Sequence, residues 1–354
     1  MPKKDDSPNL ESLDEFVRGA QRAAALLTAL ELELFTRIAE GNQSIPSLLR
    51  TTNWSERGSR ILLDSLVFLG LLSKQLNEYS LTPTSETFLV KTKPTYIGDA
   101  ILARLAWSAR EQTARAVKSG KPVKQIFSET SELARAQRAC TDLLNWQSEI
   151  PRLQAVREKL GWTNEMLGQA RVLAIACGSA RQVLAILHAN ADAHAMLVDS
   201  PAVLAVAREL ADAMQVGDRV TYSEEDMLNA TWTNDSFDIA WIGGKTQYLS
   251  LIQNIGILRH VFEALSEQGR VLVEAPMSDE ARRGPGSIPL HGLDVLLSSA
   301  EGDIYTTTEY RGMLEAAGFF QVEAVKDEPA LMQARRQAPP APTVPESNSS
   351  TPNV

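Results

Sequence analysis

Three short segments of this chain combine residue types that could hold a small molecule. The first is Ala176-Cys177-Gly178-Ser179-Ala180, which closes the apolar run Val172–Cys177. Its small residues, Gly178 above all, let backbone approach a ligand closely, and the helix that follows offers free N–H groups. Helix–strand packing alone can also demand that glycine. The second is Asp199, which ends the run Ala195–Val198. It stands about twenty residues beyond Gly178, where an acid is placed to accept hydrogen bonds from a ribose diol. Capping the helix that opens at Pro201 is the alternative use of the same aspartate. The third is Glu224-Glu225-Asp226-Met227. Asp226 could accept a bond from an adenine amino group and Met227 could pack on the ring, or the segment is a polar loop.

The elements that must position these segments follow from hydrophobic patterning. Apolar runs at Val172–Cys177, Ala195–Val198, Arg219–Tyr222, Phe237–Ile242, Arg270–Glu274 and Phe319–Val325 read as strands. Helical patterns at Ala180–Ala189, Pro201–Met214, Ile252–Leu265 and Thr308–Ala317 fall between them. That alternation predicts βαβ units around a buried parallel sheet. Ligands of such sheets bind beyond the carboxyl ends of the strands, near the point where strand order reverses. All three segments fall there.

Upstream, apolar residues recur every three or four positions from Ser12 to Glu40, a helix stopped by Gly41-Asn42. Ser44 reads as the N-cap of a short helix, Ile45–Arg50, and Ser55 opens another that runs through Leu72. An extended pair, Leu76 to Leu81, surrounds Asn77-Glu78. Helix, short helix, helix and small β-wing is the order of a winged helix-turn-helix. Residues 84–165 read as helical, with breaks at Pro94, Gly120-Lys121-Pro122 and Pro151. Between Lys91 and Arg138 ten Lys/Arg stand against four Asp/Glu, either a solvated helix face or a pocket wall favouring an anionic acceptor. Residues 338–354 hold five prolines with Ser, Thr and Asn and are expected to be disordered. The expected division is a winged-helix domain over 12–90, a helical connector and pocket wall over 91–165, an α/β domain over 166–328 and the tail.

Composition narrows the function classes. The chain has 354 residues, 44 % apolar and 22 % charged, enough for two or three domains with a substantial core. Two cysteines, Cys140 and Cys177, make no disulfide framework, and His188, His194 and His260 form no metal spacing with any carboxylate. No apolar leader or membrane-length stretch is present, so a soluble, cytoplasmic protein is expected. A net charge of −9 argues against a polyanion binder. Residues 1–90 carry nine Lys/Arg and twelve Asp/Glu, and the helix after Ser55 is nearly all apolar beyond Arg57 and Arg60. Such a helix buries itself rather than reading base edges, so no nucleic-acid role is expected.

Taken in order, these segments resemble the class I S-adenosylmethionine-dependent O-methyltransferases of the small-molecule type. The resemblance covers residues 12–328. It is carried by Val172-Leu173-Ala174-Ile175-Ala176-Cys177-Gly178, Leu197-Val198-Asp199-Ser200-Pro201, Glu225-Asp226-Met227, Phe262-Glu263-Ala264-Leu265 through Gly269-Arg270-Val271-Leu272-Val273-Glu274, Tyr305-Thr306 with Glu309-Tyr310, and Ala317-Gly318-Phe319. It implies an α/β, Rossmann-like class I methyltransferase domain preceded by a mainly α winged-helix dimerisation domain. It also implies a homodimer through that first domain. S-adenosylmethionine would be held by Gly178, Asp199, Asp226 and Met227, and the partner would be a small hydroxylated aromatic or polyketide-like acceptor.

The departures from the family pattern are informative. Ala174 stands where the family carries an aspartate that orients the loop around the methionine moiety, a loss of about 1–3 kcal/mol if the bonds are charge-assisted. Ala176 and Ala180 stand where two glycines are expected, and whether their Cβ atoms displace the turn depends on local φ. The family's catalytic histidine falls on Gln247, which can orient a group but takes no proton near neutral pH. A base contributes typically about 10²–10⁴-fold, so transfer driven by proximity and alignment survives its loss. An acceptor acidic enough to arrive ionised needs no base. His291 lies within Gly286–Leu297, the segment that lines the acceptor pocket in the family, and is either a substitute base or acceptor contact or a surface or packing histidine. Lys245 and Tyr248, which flank Gln247, could reach an anionic acceptor, and Cys177 reads as a small buried hydrophobe. The expected function is O-methyl transfer. The alternative is a lapsed or repurposed methyltransferase, with the cofactor lost or the pocket turned to other chemistry.

Overall fold

The computed structural model describes residues 10–93, 95–105, 110–123 and 149–337. Helix α1 spans Leu10–Glu31. The single helix expected from Ser12 to Glu40 breaks at Leu32-Glu33, where Glu33 takes a left-handed φ of 53° and α2 (Leu34–Ala39) starts afresh. The break turns Leu34, Phe35 and Ile38 into a core shared with Leu48, Leu63 and Leu66. Burying each such side chain gains about 1.5–3 kcal/mol. One left-handed residue costs about 1–2 kcal/mol, so packing wins. Ser44 caps α3 (Ile45–Thr51) and Ser55 caps α4 (Glu56–Phe68), each accepting a backbone N–H three residues on. Helix α4 stops short of Leu72, which is buried and opens an antiparallel pair, β1 (Leu72–Gln75) and β2 (Glu78–Leu81).

Helices α5 (Pro83–Phe88), α6 (Gly98–Leu105), α7 (Thr113–Ser119), α8 (Glu149–Lys159) and α9 (Asn164–Gly168) lead to the second half. Gly120 ends α7 with a left-handed φ of 62°. Pro151 lies inside α8 and does not end it. Much of the basic stretch, Cys140 and residues 338–354 lie outside the described residues.

The second half is built on one sheet of β3 (Arg171–Ile175), β4 (His194–Val198), β5 (Val220–Ser223), β6 (Phe237–Ile242), β7 (Leu265–Glu274), β8 (Phe320–Ala324) and β9 (Leu331–Arg335). Its order is β5-β4-β3-β6-β7-β9-β8. The first five are parallel, but β9 runs antiparallel to both β7 and β8, so the sheet is mixed rather than wholly parallel. Strand β9 has no counterpart among the sequence-predicted strands, and it carries the sheet past residue 328. Helices α10 (Arg181–Ala189), α11 (Pro201–Ala213), α12 (Leu251–Ala264), α13 (Ile288–Ser298) and α14 (Thr307–Ala316) complete the domain. On β3, Val172 and Ala174 join one apolar cluster while Leu173 and Ile175 join the other. Both faces are therefore covered, which explains the uninterrupted apolar run. Strand order reverses between β3 and β6, and the crevice beyond their carboxyl ends is where ligands of open α/β sheets bind.

Candidate active site

The turn after β3 is built from three left-handed residues: Ala176 at φ 52°, Gly178 at 60° and Ala180 at 54°. The two alanines thus adopt the conformation that glycine favours, at a cost of about 1–2 kcal/mol each. The turn is pinned by Ala176 N–H to the Val198 carbonyl (3.0 Å) and Ala180 N–H to the Cys177 carbonyl (3.0 Å). Behind it, a Cβ on Gly243 would lie 2.9 Å from the Ala176 carbonyl oxygen and the Cys177 Cα, so glycine alone lets the end of β6 close on the turn. Cys177 Sγ donates to the Trp241 carbonyl at 3.2 Å, and burial, with the Glu274 and Asp199 charges, pushes its thiol well up. It is a structural thiol. Ala174 is buried against Trp241 of the neighbouring strand, whose indole N–H donates to Glu274 (3.2 Å).

Asp199 leaves the carboxyl end of β4 and is 6 % exposed. Its Oδ1 accepts the Ser200 N–H at 2.7 Å and the Lys245 ammonium at 2.5 Å. Its Oδ2 is buried with no hydrogen-bond partner, and the neighbouring Ser200 Oγ is in the same state. Ser200, not Asp199, holds the N-cap position of α11, without a side-chain cap bond. An unsatisfied buried acceptor costs about 1–3 kcal/mol. Asp199 and Ser200 both stand on the wall of a cavity.

That cavity has a volume of about 610 Å³ and is walled by Ala176, Asp199, Ser200, Asp226, Met227, Lys245, Tyr248, Leu249 and Ser299 among others. The volume falls inside the range of about 300–1,000 Å³ typical of small-molecule sites. Glu224, Glu225 and Glu301 add to Asp199 and Asp226, so five carboxylates face one lysine and the wall favours a cationic ligand. Asp226 is exposed, its oxygens accepting the Leu228 N–H (3.1 Å) and the Asn229 amide (3.2 Å). Gly178, Gln247 and His291 do not line the cavity.

Gln247 sits in a short helical turn, Thr246–Tyr248, and is 4 % exposed. Its amide nitrogen donates to the Gly244 carbonyl (2.9 Å), while its Oε1 is buried without a partner. Asn254 donates to the Thr246 carbonyl (2.9 Å), and the Tyr305 hydroxyl donates to the Leu249 carbonyl (2.7 Å). The turn presents Tyr248 to the cavity. Burial, with the nearby Asp294 charge, pushes the Tyr248 phenol above its ordinary value, so at neutral pH it is a donor and not a base. His291 lies on α13 with Nδ1 3.5 Å from Asp294, which also accepts Arg110 at 2.7 Å. Burial opposes ionisation of Asp294, but the His291 bond and the Arg110 charge outweigh it and hold its carboxyl below the usual range. Lys245, which by sequence could reach an anionic acceptor, directs its ammonium to Asp199. Among the described residues no group of His, Cys, Asp and Glu could hold a metal ion.

Two family models match the chain in the order of its domains. The O-methyltransferase dimerisation domain covers residues 15–91, and a methyltransferase domain covers residues 172–269. The homologues of this chain are class I O-methyltransferases. The chain is 29 % identical over 313 residues to the tetracenomycin polyketide synthesis 8-O-methyl transferase TcmO of Streptomyces glaucescens, covering 84 % of this chain and 88 % of that protein. A crystal structure from Nostoc punctiforme, of a chain assigned to the O-methyltransferases, superposes with a TM-score of 0.76 at 27 % identity, covering 93 % of this chain and 99 % of that one. Human N-acetylserotonin methyltransferase in complex with SAM shares the fold, at a TM-score of 0.74 and 20 % identity over 94 % of this chain and 99 % of that one. The Rossmann-like domain that the sequence predicts is thus the family's fold.

Proposed function

We propose that this chain transfers a methyl group from S-adenosylmethionine to a hydroxyl of a small aromatic or polyketide-like acceptor. The observation that carries the reading is the bare, buried Oδ2 of Asp199 beside the bare Ser200 Oγ on the wall of an acidic cavity. A ribose hydroxyl donating to Asp199 removes the desolvation cost of that oxygen. Met227 offers an apolar surface to a purine, and Asp226 keeps lone pairs for its amino group. The left-handed turn Ala176–Ala180 keeps backbone close to the cavity without a large side chain. The five carboxylates favour the ammonium and sulfonium charges of S-adenosylmethionine, which when bound supplies an electrophilic methyl. TcmO, whose name places it in polyketide synthesis, supports the acceptor class.

No histidine or unpaired lysine stands on the described part of the cavity wall, and Gln247 turns its amide into its own loop. The chain's part in transfer is therefore to align the acceptor and exclude water, with an acceptor that ionises readily. The match to a dimerisation domain, with Leu10, Leu13, Phe16 and Val17 exposed along α1, supports a homodimer through that domain. Among the described residues no helix is long and apolar enough to cross a membrane.

Calorimetric titration with S-adenosylmethionine and S-adenosylhomocysteine tests the reading. Both should bind, and Asp199→Asn should weaken both by about tenfold or more, the worth of one charge-assisted hydrogen bond. Absence of binding by either compound to the unaltered protein overturns it. Across a panel of phenols, turnover should rise as the phenol becomes more acidic.

A further inference from the structure

Asp199 presents its two carboxylate oxygens very unequally. Oδ1 takes the Ser200 N–H and the Lys245 ammonium, while Oδ2 takes nothing. Lys245 reaches it from the loop after β6, with its backbone N–H held by the Gly243 carbonyl at 2.7 Å. The side chains are 17 % and 3 % exposed, so the pair is shielded from water and ions. The Lys245 ammonium donates its hydrogen bond to Asp199.

A carboxylate can hold a vicinal diol with one oxygen per hydroxyl. Here one oxygen is already saturated, because about two donors fill the lone-pair sites of a carboxylate oxygen. We propose that Lys245 is a specificity-determining residue of the nucleoside site: by occupying Asp199 Oδ1 it restricts the carboxylate to a single ribose hydroxyl, so the two hydroxyls of the diol are read unequally. This rests on the proposed use of an adenosyl ligand. The consequence is a site that tolerates change at one ribose hydroxyl and not at the other. Lys245 and Asp199 lie on different loops, so the pair also ties the end of β4 to the turn that carries Tyr248.

The test is calorimetry with S-adenosylhomocysteine and its two analogues that each lack one ribose hydroxyl. With the unaltered protein, one analogue should lose about tenfold or more in affinity and the other should stay within about threefold of the parent. Lys245→Met frees Oδ1 for the second hydroxyl, so the two analogues should then lose affinity to within about threefold of each other. Lys245→Arg keeps a cation on Oδ1 and should keep the inequality, which covers the case in which the methionine variant does not fold. Equal losses for both analogues in the unaltered protein overturn the proposal, as does an inequality that survives Lys245→Met. Failure of S-adenosylhomocysteine itself to bind overturns instead the function on which the proposal rests.

Discussion

Thr246 Oγ1 and Tyr310 Oη share a buried hydrogen bond of 2.8 Å, joining the turn after β6 to the first half of α14. Two residues on from Thr246, Tyr248 faces the cavity. The bond therefore couples α14 to the part of the cavity wall that carries Tyr248. Burial pushes the Tyr310 phenol up, so it stays neutral through the physiological range. Beside Thr246, a Cβ on Gly302 would lie 2.3 Å from the Gln247 carbonyl oxygen, so the turn is packed from that side as well.

Tyr310→Phe removes one partner of that bond and leaves Thr246 Oγ1 buried and unpaired. The loss should be about 1–3 kcal/mol of stability, read as a lower urea midpoint at an unchanged slope. Because the turn positions Tyr248 rather than the nucleoside side of the cavity, KM for the acceptor should rise more than the dissociation constant for S-adenosylhomocysteine. An unchanged midpoint would show that the bond contributes nothing net.

The alanines of the first turn offer a second measurement. Ala180 is left-handed, whereas Ala185 lies in the interior of α10. Both are nearly inaccessible. Replacing Ala185 by glycine loses a buried methyl and about 1 kcal/mol of helix propensity. Replacing Ala180 by glycine loses the same methyl but relieves about 1–2 kcal/mol of left-handed strain. Ala180→Gly should therefore cost at least about 1 kcal/mol less than Ala185→Gly in denaturant unfolding. Equal costs would mean that the strained conformation is not retained in solution.

A third prediction concerns pH. Asp238 on β6 accepts Arg171 through its backbone N–H (3.0 Å), Nε (3.0 Å) and Nη2 (2.9 Å), and Ser266 adds a bond at 3.1 Å. Burial raises the carboxyl, but the Arg171 bonds outweigh it and hold the folded value below the ordinary one. A depressed folded value contributes stability that is fully present above the unfolded value of about 3.9 and is lost as pH falls through the folded one. The stability difference between the unaltered protein and Asp238→Asn should be constant near neutral pH and shrink below about pH 4. A difference that stays constant down to pH 3 would contradict the assignment.

Much of this molecule is written in local sequence. Alternating apolar runs and helical patterns specify β3 to β7 and the helices between them, because strands buried on both faces must be apolar throughout. Ser44 and Ser55 mark helix starts by side-chain capping, which is a contact over three residues. The end of β4 locates Asp199 without any knowledge of its neighbours. Strand β9 was not legible in the same way. Leu331–Arg335 is five residues with one charge and no strong period, and it becomes a strand because β7 and β8 leave a gap that only an antiparallel segment fills.

The site divides along the same line. Sequence order alone puts Asp199, Asp226 and Met227 at the carboxyl ends of neighbouring strands, since chain direction in a parallel sheet decides which end each loop occupies. Only the tertiary structure brings Lys245 onto Asp199 from 46 residues away, leaves Oδ2 bare, and folds the Gln247 amide back onto Gly244. It alone shows that Ala176 and Ala180 hold the backbone shape of glycine. The physical reason is range: propensity and capping act over a few residues, whereas the partner of a buried charge and the φ of a crowded turn are chosen by whatever the fold packs against them.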